Sequence, residues 1–215
     1  MDEFVRDGEM RRILKWCRCG NCGQKKQYNE VVGITVANRE LDGNPNNKIF
    51  FENLQMCPVC QYCSWDIENI PSDIQKEIMG SEKYKSIVED SNFSELEKKL
   101  RLKILLSYGD ENNLANAYLH LLWYLENDKK NVIKERSQTT YHLKRYLENN
   151  TDIDMACIYI DCCRRMEEFE ESKESISSLK NYVGKRERIK KFLDYEERLC
   201  IEKDSNAHKT GEIEG

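Results

Sequence analysis

Two short stretches decide the fold of this chain: Cys17-Arg-Cys19-Gly-Asn-Cys22-Gly23 and Cys57-Pro-Val-Cys60-Gln-Tyr-Cys63. Each stretch contains a Cys-x-x-Cys pair, and 34 residues stand between Cys22 and Cys57. Two such pairs are the ligand pattern of a tetrahedral zinc site, because four thiolates at about 2.3 Å complete the coordination of the ion. The spacing therefore predicts a structural Zn²⁺ in a small β ribbon, with no open coordination position for catalysis.

Six cysteines compete for four ligand positions in these stretches. Cys17 and Cys63 are possible alternative ligands, and Cys60 with Cys63 is an alternative second pair. That alternative stays open because Gln61 follows Cys60, where such turns usually have glycine. Turn-forming residues within or just after the two preferred pairs favour four of the six as ligands. These are Cys19, Cys22, Cys57 and Cys60.

The spacer between the two pairs has the pattern of a hairpin. Residues 31–36 are β-branched and strand-like, residues 41–47 are rich in turn formers, and residues 48–54 read as a returning strand. Ahead of the first pair, the few apolar residues of segment 1–15 predict a short helix.

After Trp65 the sequence is almost continuously helical. Ser72 with Gln75 and Ser94 with Glu97 have the spacing of capping boxes, and Gly109 followed by Asp110 predicts a helix end and a new start. Successive helices of roughly 17 residues suggest pairs repeating near 34 residues, as in TPR-type arrays, although a plain helical bundle also fits.

The predicted fold class is therefore mainly α with a small β zinc ribbon, the ribbon packed on a TPR-like helical array or helical bundle. We expect three parts. They are a zinc-ribbon domain with a short N-terminal helix (1–70), a TPR-like helical domain (71–204) and a flexible tail (205–215).

This order of elements resembles an uncharacterised family of bacterial cytosolic proteins, in which a paired Cys-x-x-Cys ribbon precedes TPR-like helices. The family carries a Cys-Pro-x-Cys-Gly-Tyr segment followed by small residues and an aromatic residue. Here the segment is Cys57-Pro-Val-Cys60-Gln61-Tyr-Cys63-Ser-Trp65, which departs at Gln61 and Cys63. The resemblance covers residues 19–70 closely and 94–180 loosely. It implies that Cys63 takes a small-residue position and is not a ligand, and it implies an architecture but no reaction.

Composition and charge indicate a cytoplasmic protein. Charged residues make up 34% of the chain, and the N-terminus lacks the apolar core of a signal peptide. The longest apolar-leaning run, 114–125, is too short to span a bilayer. In a reducing cytosol, paired cysteines more often bind metal than each other.

Charge is unevenly distributed along the chain. Residues 1–63 carry 9 basic and 8 acidic side chains, whereas residues 64–215 carry 25 and 31. The basic side chains around the first pair could contact the phosphates of a nucleic acid. The more common interpretation is a solvated surface beside a thiolate cluster of negative charge. The run consists of Arg11, Arg12, Lys15, Arg18, Lys25 and Lys26.

The sequence predicts a binding module rather than an enzyme. None of the three histidines lies in a catalytic motif, and the chain has no glycine-rich phosphate loop. Stacked helix pairs form grooves that bind peptides or partner helices, so the main hypothesis is a protein or peptide partner. The alternative is a nucleic-acid-binding ribbon that uses the basic run. The pattern indicates no particular partner and no particular oligomeric state.

Overall fold

The computed structural model describes residues 11–33 and 39–214 of the chain. Over these residues the chain is mainly helical, with eight α-helices, and its few strands lie beside the cysteines of the N-terminal region. The predicted fold class, mainly α with a small β element, is thereby confirmed. The chain forms two compact units, the first from residues 1–35 and 47–124 and the second from residues 36–46 and 125–215.

The strands form two antiparallel hairpins in the first unit. In one hairpin Trp16 stands opposite Gln27, and in the other Met56 stands opposite Cys63. Each hairpin has one Cys-x-x-Cys turn at its tip, so the two cysteine pairs sit in two similar local structures. The strands are β1 (Arg11–Arg18), β2 (Lys25–Gly33), β3 (Gln55–Met56) and β4 (Cys63–Ser64).

Two local predictions in this region are wrong. The predicted helix over 1–15 is replaced by strand β1 from Arg11 onward, because β1 pairs with β2 across the first cysteine turn; residues 1–10 lie outside the described residues. The predicted strand over 48–54 begins as a 3₁₀ helix, Lys48–Phe51. Asn47 caps this helix by accepting a bond from the N–H of Ile49 at 2.9 Å. The strand predicted over 31–36 is observed as far as Gly33, and residues 34–36 lie outside the described residues.

The helices begin and end close to the predicted signals. Ser72 and Gln75 form a reciprocal capping box, and the side chains of Ser94, Asp110 and Asp152 cap the helices that follow them. In the described part of the chain, no helix is both long and apolar enough to cross a membrane. The helices are α1 (Asp73–Gly80), α2 (Glu82–Glu89), α3 (Glu95–Leu106), α4 (Glu111–Asn127), α5 (Ile133–Leu147), α6 (Ile153–Arg165), α7 (Phe169–Lys180) and α8 (Glu187–Glu202).

Helix α3 organises the first unit. It packs against α1, α2 and β4, and its Leu100, Leu102 and Leu106 are buried. Burial of each such side chain contributes about 1.5–3 kcal/mol. Phe51, the last residue of the 3₁₀ helix, is also fully buried, and its ring lies 6.3 Å from that of Tyr124 in α4. The residues between the cysteine hairpins therefore help to build the same core as the helices.

Helix α6 organises the second unit, where it packs against α5, α7 and α8. Ile160 and Leu193 are fully buried in a core shared with Leu41. Leu41 belongs to residues 39–46, which we call the early segment and which lie in the second unit. Arg164 is also fully buried, and its Nε donates to Glu196 of α8 at 2.8 Å. A buried cation of this kind is tolerated only when it is paired and fully hydrogen-bonded.

The observed units divide the chain differently from the predicted domains. The predicted boundary after residue 70 falls inside the first unit, which continues to residue 124. The segment predicted as a flexible tail is tied down over 205–214, since the main chain of His208 accepts a bond from Leu41 at 3.0 Å. Thr210 likewise donates to the main chain of Arg39 at 2.8 Å.

Candidate metal centre and helical groove

The two cysteine turns have the same main-chain hydrogen bonds. In the first turn the N–H of Gly23 donates to Cys19 O at 2.8 Å, and the N–H of Cys19 donates to Gln24 O at 2.9 Å. These bonds fold each Cys-x-x-Cys segment so that both of its sulfurs point the same way. The second turn repeats both bonds at 2.9 Å, from Gln61 N to Cys57 O and from Cys57 N to Tyr62 O.

The equivalence of the turns extends to backbone conformation. Gly23 has φ +73° and Gln61, at the matching position, has φ +62°, so both lie in the left-handed region that favours glycine. Local bonds hold Gln61 there: its side-chain amide donates to Pro58 O at 3.1 Å. Its own carbonyl accepts a bond from the hydroxyl of buried Tyr84 in α2 at 2.8 Å. The departure from glycine therefore does not change the turn.

The structure brings together the four cysteines that the sequence favoured. The Cys19 and Cys60 sulfurs are 3.7 Å apart, the Cys22 and Cys57 sulfurs are 3.6 Å apart, and all four lie within 4.8 Å of one another. A tetrahedral ion with sulfur ligands at about 2.3 Å has ligand-to-ligand distances of about 3.8 Å. Disulfides need about 2.05 Å, so these sulfurs are spaced for an ion and not for bonds to each other. The cluster can hold a metal ion.

The cluster is buried on one side and open on the other. Cys19 and Cys57 are buried, Cys60 is partly buried and Cys22 is exposed. Burial raises the pKa of the Cys60 thiol to about 12 and also raises the pKa of Cys19. The main-chain N–H of Gln24 donates to the Cys22 sulfur and lowers the pKa of that thiol. A bound cation would offset the cost of burying thiolates here, because it supplies the opposite charge.

The first cysteine turn is also held by the main chain of residues 67–69. Gly20 donates its N–H to Ile67 O at 2.9 Å, and a Cβ on Gly20 would lie only 2.2 Å from Asn69 O and 2.6 Å from Glu68 O. Only glycine allows the main chain of 67–69 to come this close. The sequence suggested turn formation as the role of this glycine, whereas the structure gives it close packing between two backbones.

The two remaining N-terminal cysteines lie outside the cluster. Cys17 is buried in β1, and Cys63 is buried in β4 with its sulfur 3.4 Å from Lys99 O of α3. Burial raises the pKa of Cys63 to about 12, as for a thiol in a core. Neither sulfur joins the group of four that could hold an ion. The alternative second pair of Cys60 and Cys63 is therefore not the pair that the structure assembles.

The basic run does not form one patch. Arg12 pairs with Glu52 at 2.7 Å, and Lys15 lies 3.7 Å from Glu30. Adjacent residues of a strand face opposite sides, so Lys25 and Lys26 stand on different faces of the hairpin. Some cations of the run are therefore held in ion pairs, and the others lie on opposite faces of the hairpin. The side chain of Arg11 lies outside the described residues.

One face of this hairpin exposes an aromatic residue. The Trp16 side chain is 59% exposed, and the Lys25 ammonium lies 5.4 Å from the centre of its ring. Leu14 is exposed beside it on the same strand, two residues away and hence on the same face. An exposed tryptophan with a cation over its ring can stack on a planar ligand.

A second group of possible ligands lies in the second unit. Glu40, Asp42 and Glu126 have oxygens within 4.8 Å of one another. Arg165 lies among them, with Nη1 3.0 Å from Glu40 and Nη2 2.8 Å from Glu126, and Arg136 also pairs with Glu126. The guanidinium groups already supply the cations that these carboxylates need, so the group is a buried ion-pair network.

Helices α5, α6 and α7 enclose a groove that sequence analysis did not locate. Its central cavity has a volume of about 470 Å³ and adjoins cavities of about 360 Å³ and 500 Å³. Tyr159 and Glu171 line the central cavity and the smaller neighbour, whereas Asp152 and Tyr182 line the central cavity and the larger one. The three cavities form one continuous surface, which we call the helical groove.

Comparison of the chain with protein-family models, with curated proteins and with solved structures finds no match. The resemblance to a bacterial family therefore stays a prediction from the sequence.

Proposed function

We propose that this protein is a non-enzymatic interaction module, with a ribbon stabilised by a structural zinc ion and a helical groove for a protein or peptide partner. The observation that carries the zinc assignment is the all-sulfur set, in which sulfur-to-sulfur distances of 3.6 and 3.7 Å fit a tetrahedral ion. Sulfur in all four positions leaves no place for water or substrate on the ion, which is the arrangement of structural rather than catalytic zinc.

The same proposal extends the resemblance to bacterial cytosolic proteins with a zinc ribbon and TPR-like helices. All ten cysteines are free thiols, which fits a reducing cytoplasm. Successive packing of α5 on α6, α6 on α7 and α7 on α8 supports a TPR-like arrangement in the second unit. Concave surfaces built in this way bind peptides, and the helical groove is one surface of that kind.

Elemental analysis of the purified protein tests the zinc assignment, and the expected content is about one zinc ion per chain. Cys57→Ser should abolish binding, because it removes one of the four sulfurs. Cys63→Ser is the matched control, since Cys63 is equally buried in the same hairpin but lies outside the cluster. Cys17→Ser should likewise retain zinc. A wild-type zinc content near zero, or zinc loss in Cys63→Ser but not in Cys57→Ser, would overturn the ligand assignment.

Selection of displayed random peptides on the zinc-loaded protein tests the groove. Binding of the selected peptides should be lost in Tyr182→Ala, because Tyr182 lines the groove and is 70% exposed. Tyr108→Ala is the control, since Tyr108 is similarly exposed but belongs to the first unit. Equal loss in both variants, or in neither, would argue against the groove as the binding surface.

A second candidate function is binding of single-stranded nucleic acid by the β1–β2 hairpin. The observation that favours it is the exposed Trp16 with Lys25 over its ring. Such binding should weaken steeply with added salt and should depend on Trp16, which does not line the helical groove. An oligonucleotide titration of wild type and Trp16→Ala at two salt concentrations distinguishes the two functions. Unchanged affinity in Trp16→Ala would remove this candidate.

A further inference from the structure

The helical groove is acidic. Its cationic lining residues are Lys144 and Arg186, and they are outnumbered by carboxylates. An excess of one charge along a groove raises the local concentration of segments with the opposite charge and rejects segments with the same charge. The carboxylates that line the groove are Glu148, Asp152, Asp154, Glu168, Glu171 and Glu174.

One of the two cations is already neutralised within the groove. Lys144 Nζ lies 2.8 Å from Glu171 Oε1, and the hydroxyl of Tyr159 donates to the same oxygen at 2.7 Å. These bonds hold Lys144 against the wall between α5 and α7. The exposed carboxylates of Glu148 and Glu174 then dominate the rim of the central cavity.

The groove also presents apolar and aromatic side chains. Tyr182, which is 70% exposed, lines the central and the larger cavity, and Tyr141, which is 53% exposed, lines the smaller one. Exposed tyrosine rings provide large contact area at a low cost in conformational entropy, and they also attract cations to their faces. The floor of the central cavity contains Leu147, Ile153, Ala156 and Leu179.

From this combination we infer that the groove binds a cationic segment of a partner protein, with lysine or arginine side chains alternating with apolar ones. The cationic side chains face Glu148 and Glu174, and the apolar side chains cover Leu179 and pack on Tyr182. The inference rests on the proposed function of the groove and adds the chemistry of its partner. Nucleic acids and acidic peptides are excluded from this surface by the same charge.

The test uses two fluorescent peptides with the full-length, zinc-loaded protein: one of alternating lysine and leucine, and one of alternating glutamate and leucine. The double variant Glu148→Gln/Glu174→Gln should weaken binding of the lysine peptide by about tenfold, since two exposed charge pairs are lost. The matched control is Glu187→Gln/Glu202→Gln, which removes the same charge from exposed positions at the two ends of α8, outside the groove lining. Tyr182→Ala reports on the groove independently of charge.

The outcomes separate this inference from the proposed function. Weaker binding of the lysine peptide to Glu148→Gln/Glu174→Gln, with unchanged binding to Glu187→Gln/Glu202→Gln, supports the inference. Equal weakening in both double variants overturns it, because the attraction is then a property of net charge. Binding of the glutamate peptide that depends on Tyr182 also overturns the inference, while it preserves a peptide-binding groove. Failure of both peptides to bind overturns the inference and removes support from the proposed function.

Discussion

Replacement of Gly20 by alanine should disturb the cysteine cluster through a backbone collision. The added Cβ would lie 2.2 Å from Asn69 O, 2.5 Å from Asn69 C and 2.6 Å from Glu68 O, whereas ordinary contacts of a Cβ atom are 3.4–4 Å. The colliding atoms belong to the main chain and cannot rotate away. The turn and segment 67–69 must therefore separate by about 1 Å, which strains the bond from Gly20 N to Ile67 O.

The expected cost follows from these contacts. Overpacking of a tight site costs about 1–3 kcal/mol, and loss of one main-chain hydrogen bond adds about 1 kcal/mol. Gly20→Ala should therefore lower the free energy of unfolding of the first unit by about 2–4 kcal/mol. Because Gly20 directly follows Cys19, the same shift should move that sulfur away from the other three, and the proposed zinc ion should then be lost faster.

Two other glycines provide matched controls. Gly23 has φ +73° and open space around its Cβ direction, so Gly23→Ala should cost only the left-handed penalty, about 1–2 kcal/mol. Gly80 ends helix α1 with open space and an ordinary φ, so Gly80→Ala should be neutral or stabilising by up to about 1 kcal/mol.

The assay is chemical denaturation of the zinc-loaded proteins followed by tryptophan fluorescence, together with the rate of zinc transfer to a coloured chelator. The expected order of stability is Gly80→Ala, then Gly23→Ala, then Gly20→Ala. A Gly20→Ala protein as stable as Gly80→Ala, with unchanged zinc release, would refute the close approach of residues 67–69 to the first turn.

Three further predictions concern single contacts. Gln61→Gly should stabilise the first unit by up to about 1 kcal/mol in denaturation experiments, because glycine avoids the left-handed penalty at this position; a clear loss of stability would contradict it. Tyr84→Phe should destabilise the same unit by about 1–2 kcal/mol, since Gln61 O loses its buried donor, whereas Tyr108→Phe on the surface should have no effect. Burial raises the pKa of Asp42 from 3.8 to about 6, so the folded chain binds more protons than the unfolded chain between these values. Stability should therefore fall as pH rises from about 4 to 6, by up to about 3 kcal/mol, and Asp42→Asn should flatten that fall in pH-dependent denaturation; an unchanged slope would show that Asp42 titrates normally.

The sequence was sufficient to predict the helices and the clustering of four cysteines, because both depend on local signals. Ser72 and Ser94 mark helix starts by side-chain bonds to nearby N–H groups, which depend on a few adjacent residues. The paired cysteines likewise depend on short turns, and the structure assembles the four that the turn residues favoured.

The spacer could not be predicted in the same way. Residues 48–51 have strand-like composition, yet they form a 3₁₀ helix because Asn47 caps it and Phe51 is buried in the core of the first unit. Strand β1 lacks alternation and becomes a strand by pairing with β2. Tertiary contacts decide both elements and override local preference.

The division into two units could not be predicted from local sequence signals either, because it depends on contacts between distant residues. Arg165 reaches Glu40 and Asp42 across 125 and 123 residues of sequence, and this network helps to fix the early segment in the second unit. The helical groove depends on how α5, α6 and α7 pack, which helix periodicity alone does not specify.

The position of residues 39–46 has a topological consequence. They lie between the two cysteine pairs, so an ion shared by Cys22 and Cys57 turns the 34 residues between them into a closed loop that includes part of the second unit. Closing a flexible loop of this length costs about 3 kcal/mol in conformational entropy of the unfolded chain. Release of the ion reopens the loop, and the second unit then has to hold residues 39–46 by its own contacts. An ion at the cysteine cluster would therefore restrict residues of both units through the chain alone.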